Sequence, residues 1–194
     1  MSAWPGKYVI GLTGNIATGK SVVRRMLEHL GAYGIDADAL AHRAITKDAP
    51  GYTQVIEAFG KWILDGDGQI NRKKLAKVVF TDKQAMFILE NIVHPLVVQA
   101  VNILVRRSKH KVVVIEAIKL LESQLKEACD VIWVTCAPLE VQLSRLMQFK
   151  GMSETNAQRR IGAQSAQEEK VAAADIVIRN DGSIEDTWNQ VLTA

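Results

Sequence analysis

The stretch of sequence that decides the fold is Gly14-Asn15-Ile16-Ala17-Thr18-Gly19-Lys20-Ser21. It fits the pattern Gly-x-x-x-x-Gly-Lys-Ser/Thr, in which the glycines let the backbone curl so that successive N–H groups point inward at an anion. Residues 8–13 before it form a short apolar run typical of a buried strand, and residues 20–30 repeat apolar side chains at helical spacing. This order of strand, glycine-rich turn and helix predicts a loop that binds polyphosphate.

Two side chains of this stretch point to a nucleoside triphosphate. Lys20 can reach the β- and γ-phosphates, and the Ser21 hydroxyl can ligate the Mg²⁺ that bridges them. We therefore expect residues 14–22, up to Val22, to form an ATP site. The alternative is a glycine-rich turn that only closes a strand–helix unit; a chance match in this chain has a probability on the order of one in a hundred.

Short apolar runs recur along the chain and alternate with helical patterns. This alternation predicts an α/β fold of the P-loop NTPase type, with a doubly wound parallel sheet of five strands. The predicted strands are residues 8–13, 32–36, 112–116, 131–135 and 176–178, and the helices outside the middle third are predicted at 20–30, 37–45, 139–170 and from Ser183 onward.

The middle third of the chain lacks strand character. From Tyr52 to about Lys109 the apolar residues follow a helical period, with a helix boundary expected at His94-Pro95 because proline disfavours helical geometry in the residue before it. The Asn-Lys-x-Asp motif of GTPases is absent, and a small chain with an inserted lobe favours a kinase for a small acceptor. We predict one domain over residues 1–194, with a helical acceptor-binding insertion at about 50–110 and a helical lid at about 139–170.

Carboxylates follow two of the predicted strands. Asp36 and Asp38 come after the second strand, and the carboxyl ends of parallel strands open on the same edge as the phosphate loop. We predict that Asp38 accepts the proton of an attacking hydroxyl and that Asp36 helps to hold Mg²⁺; a helix N-cap is the alternative. Glu116 ends a run of four aliphatic residues and is a further candidate for Mg²⁺, or else a plain strand end.

Composition and charge exclude several classes of protein. The 194 residues are 48% hydrophobic with a net charge of +3, which argues against disorder and against a dedicated nucleic-acid binder. No apolar run approaches the ~20 residues of a membrane span, and the first residues are too polar for a signal peptide, which predicts a cytoplasmic protein without a membrane partner. Cys129 and Cys136 form no metal or disulfide pattern and are expected to pack as small hydrophobes.

The predicted lid is rich in cations. Arg145, Lys150 and Arg160 lie on a segment with few large apolar residues. A basic helical hairpin can close over ATP, where its cations stabilise the charge on the transferring phosphoryl group and exclude water. A solvated helix face is the alternative.

Several motifs, in order and across nearly the whole chain, resemble those of the dephospho-CoA kinase family. They are Gly11-Leu12-Thr13-Gly14 with Gly19-Lys20-Ser21, Asp36-Ala37-Asp38, Phe59-Gly60, His94-Pro95, Leu120-Leu121-Glu122, Arg160-Ile161-Gly162-Ala163-Gln164 and Ala174-Asp175-Ile176-Val177-Ile178-Arg179-Asn180. The resemblance implies transfer of the ATP γ-phosphoryl group to the ribose 3′-hydroxyl of dephospho-CoA, the last step of coenzyme A biosynthesis.

The resemblance also implies roles for single residues. Asp38 looks like the general base, and Asn180 would lie near the adenine of ATP. Lys20, Arg145 and Arg160 would act on the transferring group. The acceptor would be bound by residues of the middle lobe and the segment before it, namely Asp38, His42, Arg43 and His94.

The chain departs from the family pattern at two places. Phe149 stands where the family commonly has an arginine, and Lys150 is expected to substitute for it as a point charge without the guanidinium fork. Glu116 stands where many members have an aspartate. Two other functions stay open: a related kinase for another nucleoside or nucleotide, and a nucleotide-binding regulatory protein without transfer activity. A monomer or a weak homo-oligomer is expected.

Overall fold

A parallel sheet forms the centre of the first of two compact units into which the chain divides. The computed structural model describes residues 3–194, and this unit comprises the chain up to Asp36 together with Arg107–Ala194. The sheet order is β2-β3-β1-β4-β5 with every pair parallel, which confirms the predicted doubly wound, five-stranded sheet. Its strands are β1 (Tyr8–Gly14), β2 (Tyr33–Asp36), β3 (Val112–Glu116), β4 (Val131–Cys136) and β5 (Ile176–Arg179).

Helices connect the strands and form the second unit, Ala37–Arg106. The helices of the second unit are α2 (Ala37–Ala44), α3 (Tyr52–Phe59), α4 (Arg72–Val79) and α5 (Lys83–Arg107), the last of which ends one residue inside the first unit. Those of the first unit are α1 (Lys20–His29), α6 (Leu139–Lys150), α7 (Glu154–Gly162), α8 (Gln167–Ala172) and α9 (Ile184–Thr193).

Apolar burial on the sheet explains why β1 is central. Leu12 in β1 and Val114 in β3 are fully buried, and they join one core cluster with Val23 of α1 and Val191 of α9. Burial of each such side chain contributes about 1.5–3 kcal/mol. The glycine-rich stretch therefore begins at the carboxyl end of a strand that is buried from Val9 onward.

The second unit begins earlier in the chain than the predicted insertion. Hydrogen bonds tie the end of α2 into this unit: Gly51 N donates to Ala44 O over 2.9 Å, and Arg72 Nη2 donates to His42 Nε2 over 2.8 Å. The arginine can only donate, so the Nε2 of His42 accepts. Because these hydrogen bonds join α2 to residues that follow it, α2 belongs to the second unit.

Helix α5 passes through Pro95, and the predicted boundary at His94-Pro95 is wrong. Proline removes one backbone hydrogen bond and crowds the preceding turn. Buried valines at four-residue spacing lie on both sides of it, among them Val93, Val97 and Val101. Their combined burial outweighs the local cost of the proline.

By length and composition alone, α5 is the one helix among residues 3–194 that could cross a membrane. The sequence pattern does not predict such a segment, because no apolar run approaches the ~20 residues of a membrane span. Its buried valines give α5 one packed face, and 22% of its most apolar 18 residues is buried.

The predicted lid is three helices and not one stretch. α6 ends at Gly151, whose φ of +61° is the left-handed conformation that glycine adopts without strain. α7 and α8 follow, separated by a turn over residues 163–166. The breaks let α7 pack against α6 while α8 packs against β4 and β1.

Both thiols are free, and Cys129 is expected to be unreactive in the folded protein. Burial, with a smaller contribution from the charge of Asp130, raises the pKa of Cys129 to about 12 from its ordinary 9.0. At pH 8 the reactive thiolate is then about one part in ten thousand. We expect iodoacetamide to alkylate Cys129 only on unfolding; a Cys136→Ser variant isolates its signal, and rapid labelling of the native protein would contradict the assignment.

This shift also predicts how stability depends on pH. The folded state keeps the Cys129 proton up to about pH 12, whereas the unfolded chain releases it near pH 9.0. The free energy of unfolding therefore falls as pH rises from about 9 to 12. A Cys129→Ser variant should show a weaker fall in denaturant titrations across that range.

Candidate active site

Backbone conformation shapes the loop that follows β1. Gly14 has φ +148° and Gly19 has φ +94°, values that side-chain-bearing residues rarely adopt. A Cβ at Gly14 would lie 2.5 Å from Thr135 Oγ1 and 2.8 Å from Thr18 Oγ1, and closer still to the Thr135 carbonyl. The loop can therefore curl against β4 only because Gly14 has no side chain.

Replacing Gly14 by alanine is expected to destabilise the protein. The backbone strain costs about 1–3 kcal/mol, and the contact with the Thr135 backbone adds about 1–3 kcal/mol of overpacking. Chemical denaturation measures the loss. The matched control is Gly162→Ala at the end of α7, where an added Cβ meets nothing within 4 Å; equal stability changes in the two variants would contradict this account.

Two threonines fasten the loop to β4. Thr18 Oγ1 donates to Asn15 O over 2.8 Å and lies 2.7 Å from Thr135 Oγ1, and both hydroxyls are buried. Thr135 Oγ1 also lies 3.4 Å from the carbonyl oxygen of Thr13, so either hydroxyl can donate in the pair. The sequence analysis gives Thr135 no role, because only the strand order shows that β4 lies beside β1.

Lys20 lies inside the loop. Its side chain is 7% exposed, and Nζ donates to the carbonyl oxygens of Gly14 and Asn15 over 3.0 and 3.2 Å. An anion in the loop can take over these bonds without moving the lysine far. Asn15 Oδ1 lies beside them, buried and without a hydrogen-bond partner among the described residues.

Oxygen ligands meet at the carboxyl end of β3. Ser21 Oγ, at the start of α1, donates to Glu116 Oε1 over 2.7 Å, and Glu116 is 4% exposed. Asp36 ends β2 directly beside Glu116 in the sheet register. The structure thus brings together the three residues predicted to hold a metal ion, and their oxygens are the ligands that Mg²⁺ prefers.

Arg24, which the sequence analysis does not single out, completes this group. Its Nε donates to Glu116 Oε2 over 2.7 Å. Burial by itself lowers the pKa of the Arg24 guanidinium, but hydrogen bonds and charges from Glu116 and Glu28 outweigh that effect and raise it. Arg24 therefore stays a cation beside the Glu116 carboxylate.

Arg145 and Asn180 flank the other side of the loop. Arg145 Nη1 donates to Ala17 O over 3.1 Å, and Nη2 donates to Asn180 O and Oδ1 over 2.9 and 3.2 Å. A Cβ at Gly19 would overlap the Asn180 amide, so Gly19 and Asn180 are in direct contact. Arg145 and Asn180, the two residues expected near ATP, are thus adjacent, although Arg145 belongs to α6 and Asn180 follows β5.

The segment after α7 contacts the loop backbone. Gln164 Oε1 accepts a hydrogen bond from Ile16 N over 2.7 Å, and Asn15 Nδ2 donates to Ser165 O over 3.0 Å. Neither contact residue is predicted to be in the site. The signal that could have found Gln164 is its place at the end of the family-like motif that begins at Arg160.

A sequence model of the dephospho-CoA kinase family matches residues 8–186. This chain belongs to the dephospho-CoA kinase family. It is 45% identical to the dephospho-CoA kinase of Carboxydothermus hydrogenoformans over 188 residues, which cover 95% of this chain and 91% of that relative.

Two solved structures resemble the fold. A crystal structure of a Thermus thermophilus protein matches with a TM-score of 0.84 and 32% identity over 96% of this chain and 95% of the other. The dephospho-CoA kinase of Campylobacter jejuni matches with a TM-score of 0.60 and 29% identity over 97% and 95%. Family membership makes this chain a transferase that uses ATP as co-substrate.

The acceptor residues implied by the dephospho-CoA kinase resemblance lie in the second unit. Asp38 is half-buried in the first turn of α2, and His42 and Arg43 are exposed in its last turn. His94 is exposed on α5. The roles assigned to these four residues stay predictions.

The remaining residues expected to act in a dephospho-CoA kinase lie at the surface of the first unit. Lys150 and Arg160 are exposed on α6 and α7, Phe149 is 77% exposed, and Val22 is 40% exposed at the start of α1. Of the three predicted lid cations, Arg145 alone contacts the phosphate loop among the described residues. The functions of Lys150 and Arg160 stay predictions.

Proposed function

We propose that the loop Gly14–Ser21, with Arg145 and Asn180 beside it, is the ATP site of this dephospho-CoA kinase. The enzyme transfers the γ-phosphoryl group of ATP to the ribose 3′-hydroxyl of dephospho-CoA, which gives coenzyme A. The observation that carries the site assignment is the position of Lys20, whose ammonium group lies within its own loop. A lysine held there is ready to exchange loop carbonyls for phosphate oxygens.

The loop binds phosphate through its backbone. Inward N–H groups and the positive end of the α1 dipole attract the anion, and Lys20 adds a full charge. Gln164 accepts a hydrogen bond from Ile16 N, so a phosphate that takes this N–H would have to displace it. Arg145 and Asn180 orient the remainder of ATP from the far side of the loop.

The metal that we propose for the reaction is Mg²⁺, held by Ser21, Glu116 and Asp36. The Ser21 hydroxyl donates its hydrogen bond to Glu116. The lone pairs of the Ser21 oxygen are therefore left for the ion. Among residues 3–194 no group of three or more His, Cys, Asp or Glu is placed to hold a metal. Bound Mg²⁺ would neutralise charge on the β- and γ-phosphates.

The transfer itself needs a base and a counter-charge. Asp38 accepts the proton of the 3′-hydroxyl as that oxygen attacks phosphorus. Arg145, joined by Arg160 and Lys150 when the lid closes, stabilises the charge on the transferring group and excludes water. His42, Arg43 and His94 bind dephospho-CoA.

The composition supports a proposal for the compartment in which the enzyme works. A net charge of +3 over 194 residues and free thiols support a cytoplasmic enzyme that works without nucleic acid or membrane. It acts as a monomer or a weak homo-oligomer. Light scattering across a range of protein concentrations measures that state.

An ADP-release assay with several acceptors tests the function. ADP should appear with dephospho-CoA and not with AMP, adenosine or cytidine, and the product should be coenzyme A by mass. ADP release at the same rate with another nucleoside would assign a different acceptor. ATP binding without release for any acceptor would indicate a regulatory nucleotide-binding protein.

A further inference from the structure

The carboxylate of Glu116 is held from two sides. Oε1 accepts the Ser21 hydroxyl and Oε2 accepts Arg24 Nε, each over 2.7 Å. Both donors come from α1, three residues apart, and therefore lie on the same face of that helix. Glu116 is 4% exposed, so little water competes for either oxygen.

Arg24 is fixed in turn by a second acid. Its Nη1 lies 2.5 Å from Glu28 Oε1, one helical turn further along α1. The Arg24 side chain is 17% exposed and that of Glu28 is 33% exposed. A guanidinium bonded through two different nitrogens cannot rotate away from Glu116 without breaking both contacts.

This clamp matters because a glutamate is longer and freer than an aspartate. Its third side-chain torsion lets the carboxylate swing, and an unrestrained carboxylate could turn from the Ser21 hydroxyl. With Oε2 held by Arg24, Oε1 is left facing Ser21. The clamp therefore lets a glutamate at this strand end present a fixed oxygen to Ser21.

We propose that Arg24 is a positioning residue for the metal of the ATP complex: by binding one oxygen of Glu116, it keeps the other at the Ser21 hydroxyl. This inference rests on the proposed function of Ser21 and Glu116. It assigns no contact between Arg24 and either substrate. Groups that orient metal ligands commonly change metal affinity by about 10–100-fold when removed.

The test compares Arg24→Gln with Arg25→Gln, the same charge change at the next, exposed residue of α1. Binding of a fluorescent ATP analogue is titrated against Mg²⁺, and again in EDTA. We expect Arg24→Gln to raise the Mg²⁺ concentration for half-maximal binding by about tenfold or more. Binding in EDTA and the Arg25→Gln titration should match the wild type.

Two further variants separate positioning from a merely structural ion pair. Arg24→Lys keeps a charge beside Glu116 but lacks the rigid guanidinium fork that fixes Glu116 and Glu28 through two nitrogens, so it should restore the Mg²⁺ requirement in part. In a Glu116→Asp background the shorter carboxylate no longer spans Ser21 and Arg24, and adding Arg24→Gln should change the requirement by less than about twofold. Thermal unfolding of each variant shows whether it is folded.

The outcomes are distinct. An equal loss of binding with and without Mg²⁺, or a Mg²⁺ requirement unchanged in Arg24→Gln and Arg24→Lys, overturns the positioning role. Additive effects of Arg24→Gln and Glu116→Asp overturn it as well. Failure of the wild type to phosphorylate dephospho-CoA would reject the proposed function but leave this binding result standing, because the titration contains no acceptor.

Discussion

Replacing Lys20 by methionine is expected to reduce phosphoryl transfer by about a hundred- to a thousandfold, the usual effect of removing one preorganised charge from the reacting group. Methionine has nearly the same shape but no charge, so the loop keeps its packing. The Lys20 ammonium group is buried in the loop, where its attraction for phosphate is weakly screened. We expect kcat to fall along with kcat/KM.

The measurement is steady-state ADP release with dephospho-CoA and ATP varied. The control is Lys126→Met, which removes an exposed lysine from a short 3-10 helix. Thermal unfolding should show that both variants are folded. Near-normal kcat in folded Lys20→Met would mean that the loop amides suffice, and it would remove Lys20 from the chemical step.

Changing Asp38 to asparagine should have an effect at least as large as that of Lys20→Met. Asparagine keeps the size and the hydrogen-bonding ability of aspartate but cannot accept the hydroxyl proton. Loss of a general base lowers turnover by about 10²–10⁴-fold. The affinity for ATP should stay close to that of the wild type, because Asp38 is assigned no contact with phosphate.

The effect of Asp38→Asn is measured as kcat, and ATP affinity is measured in a separate binding titration. Glu57→Gln is the matched control, since it makes the same acid-to-amide change on the exposed side of α3 in the same unit. Asp36→Asn provides a contrast: it should alter the Mg²⁺ requirement more than kcat. Comparable turnover by Asp38→Asn would remove Asp38 from the base role.

The order of strands and helices follows from local sequence. The apolar run before Gly14 and the helical spacing after Lys20 predict β1 and α1 almost to the residue. These patterns are strong because a strand buried on both faces must be apolar throughout. Pro95 is the exception, since the burial that holds α5 together comes from the rest of the unit and not from the local sequence.

The sequence predicted the candidate site from the loop motif, from the carboxylates at two strand ends and from the family resemblance, and it did not identify Arg24, Thr135 or Gln164 as site residues. Arg24 follows that motif closely, but on a helix it looks like an ordinary solvated arginine until β3 is known to lie beside β1. Thr135 and Gln164 likewise acquire roles from the strand order and from the path of the chain after α7. Contacts between distant segments have no local pattern that would reveal them.

The way Gln164 and Arg145 hold the loop has a consequence for synthesis on the ribosome. Their contacts with Ile16 and Ala17 span 148 and 128 residues of chain. The nascent polypeptide therefore exposes the glycine-rich turn before Arg145 and Gln164 emerge from the ribosome. The contacts of the loop with Arg145 and Gln164 can form only after the C-terminal part of the chain has emerged. Because such contacts join residues that are far apart in the sequence, we expect folding to be slow.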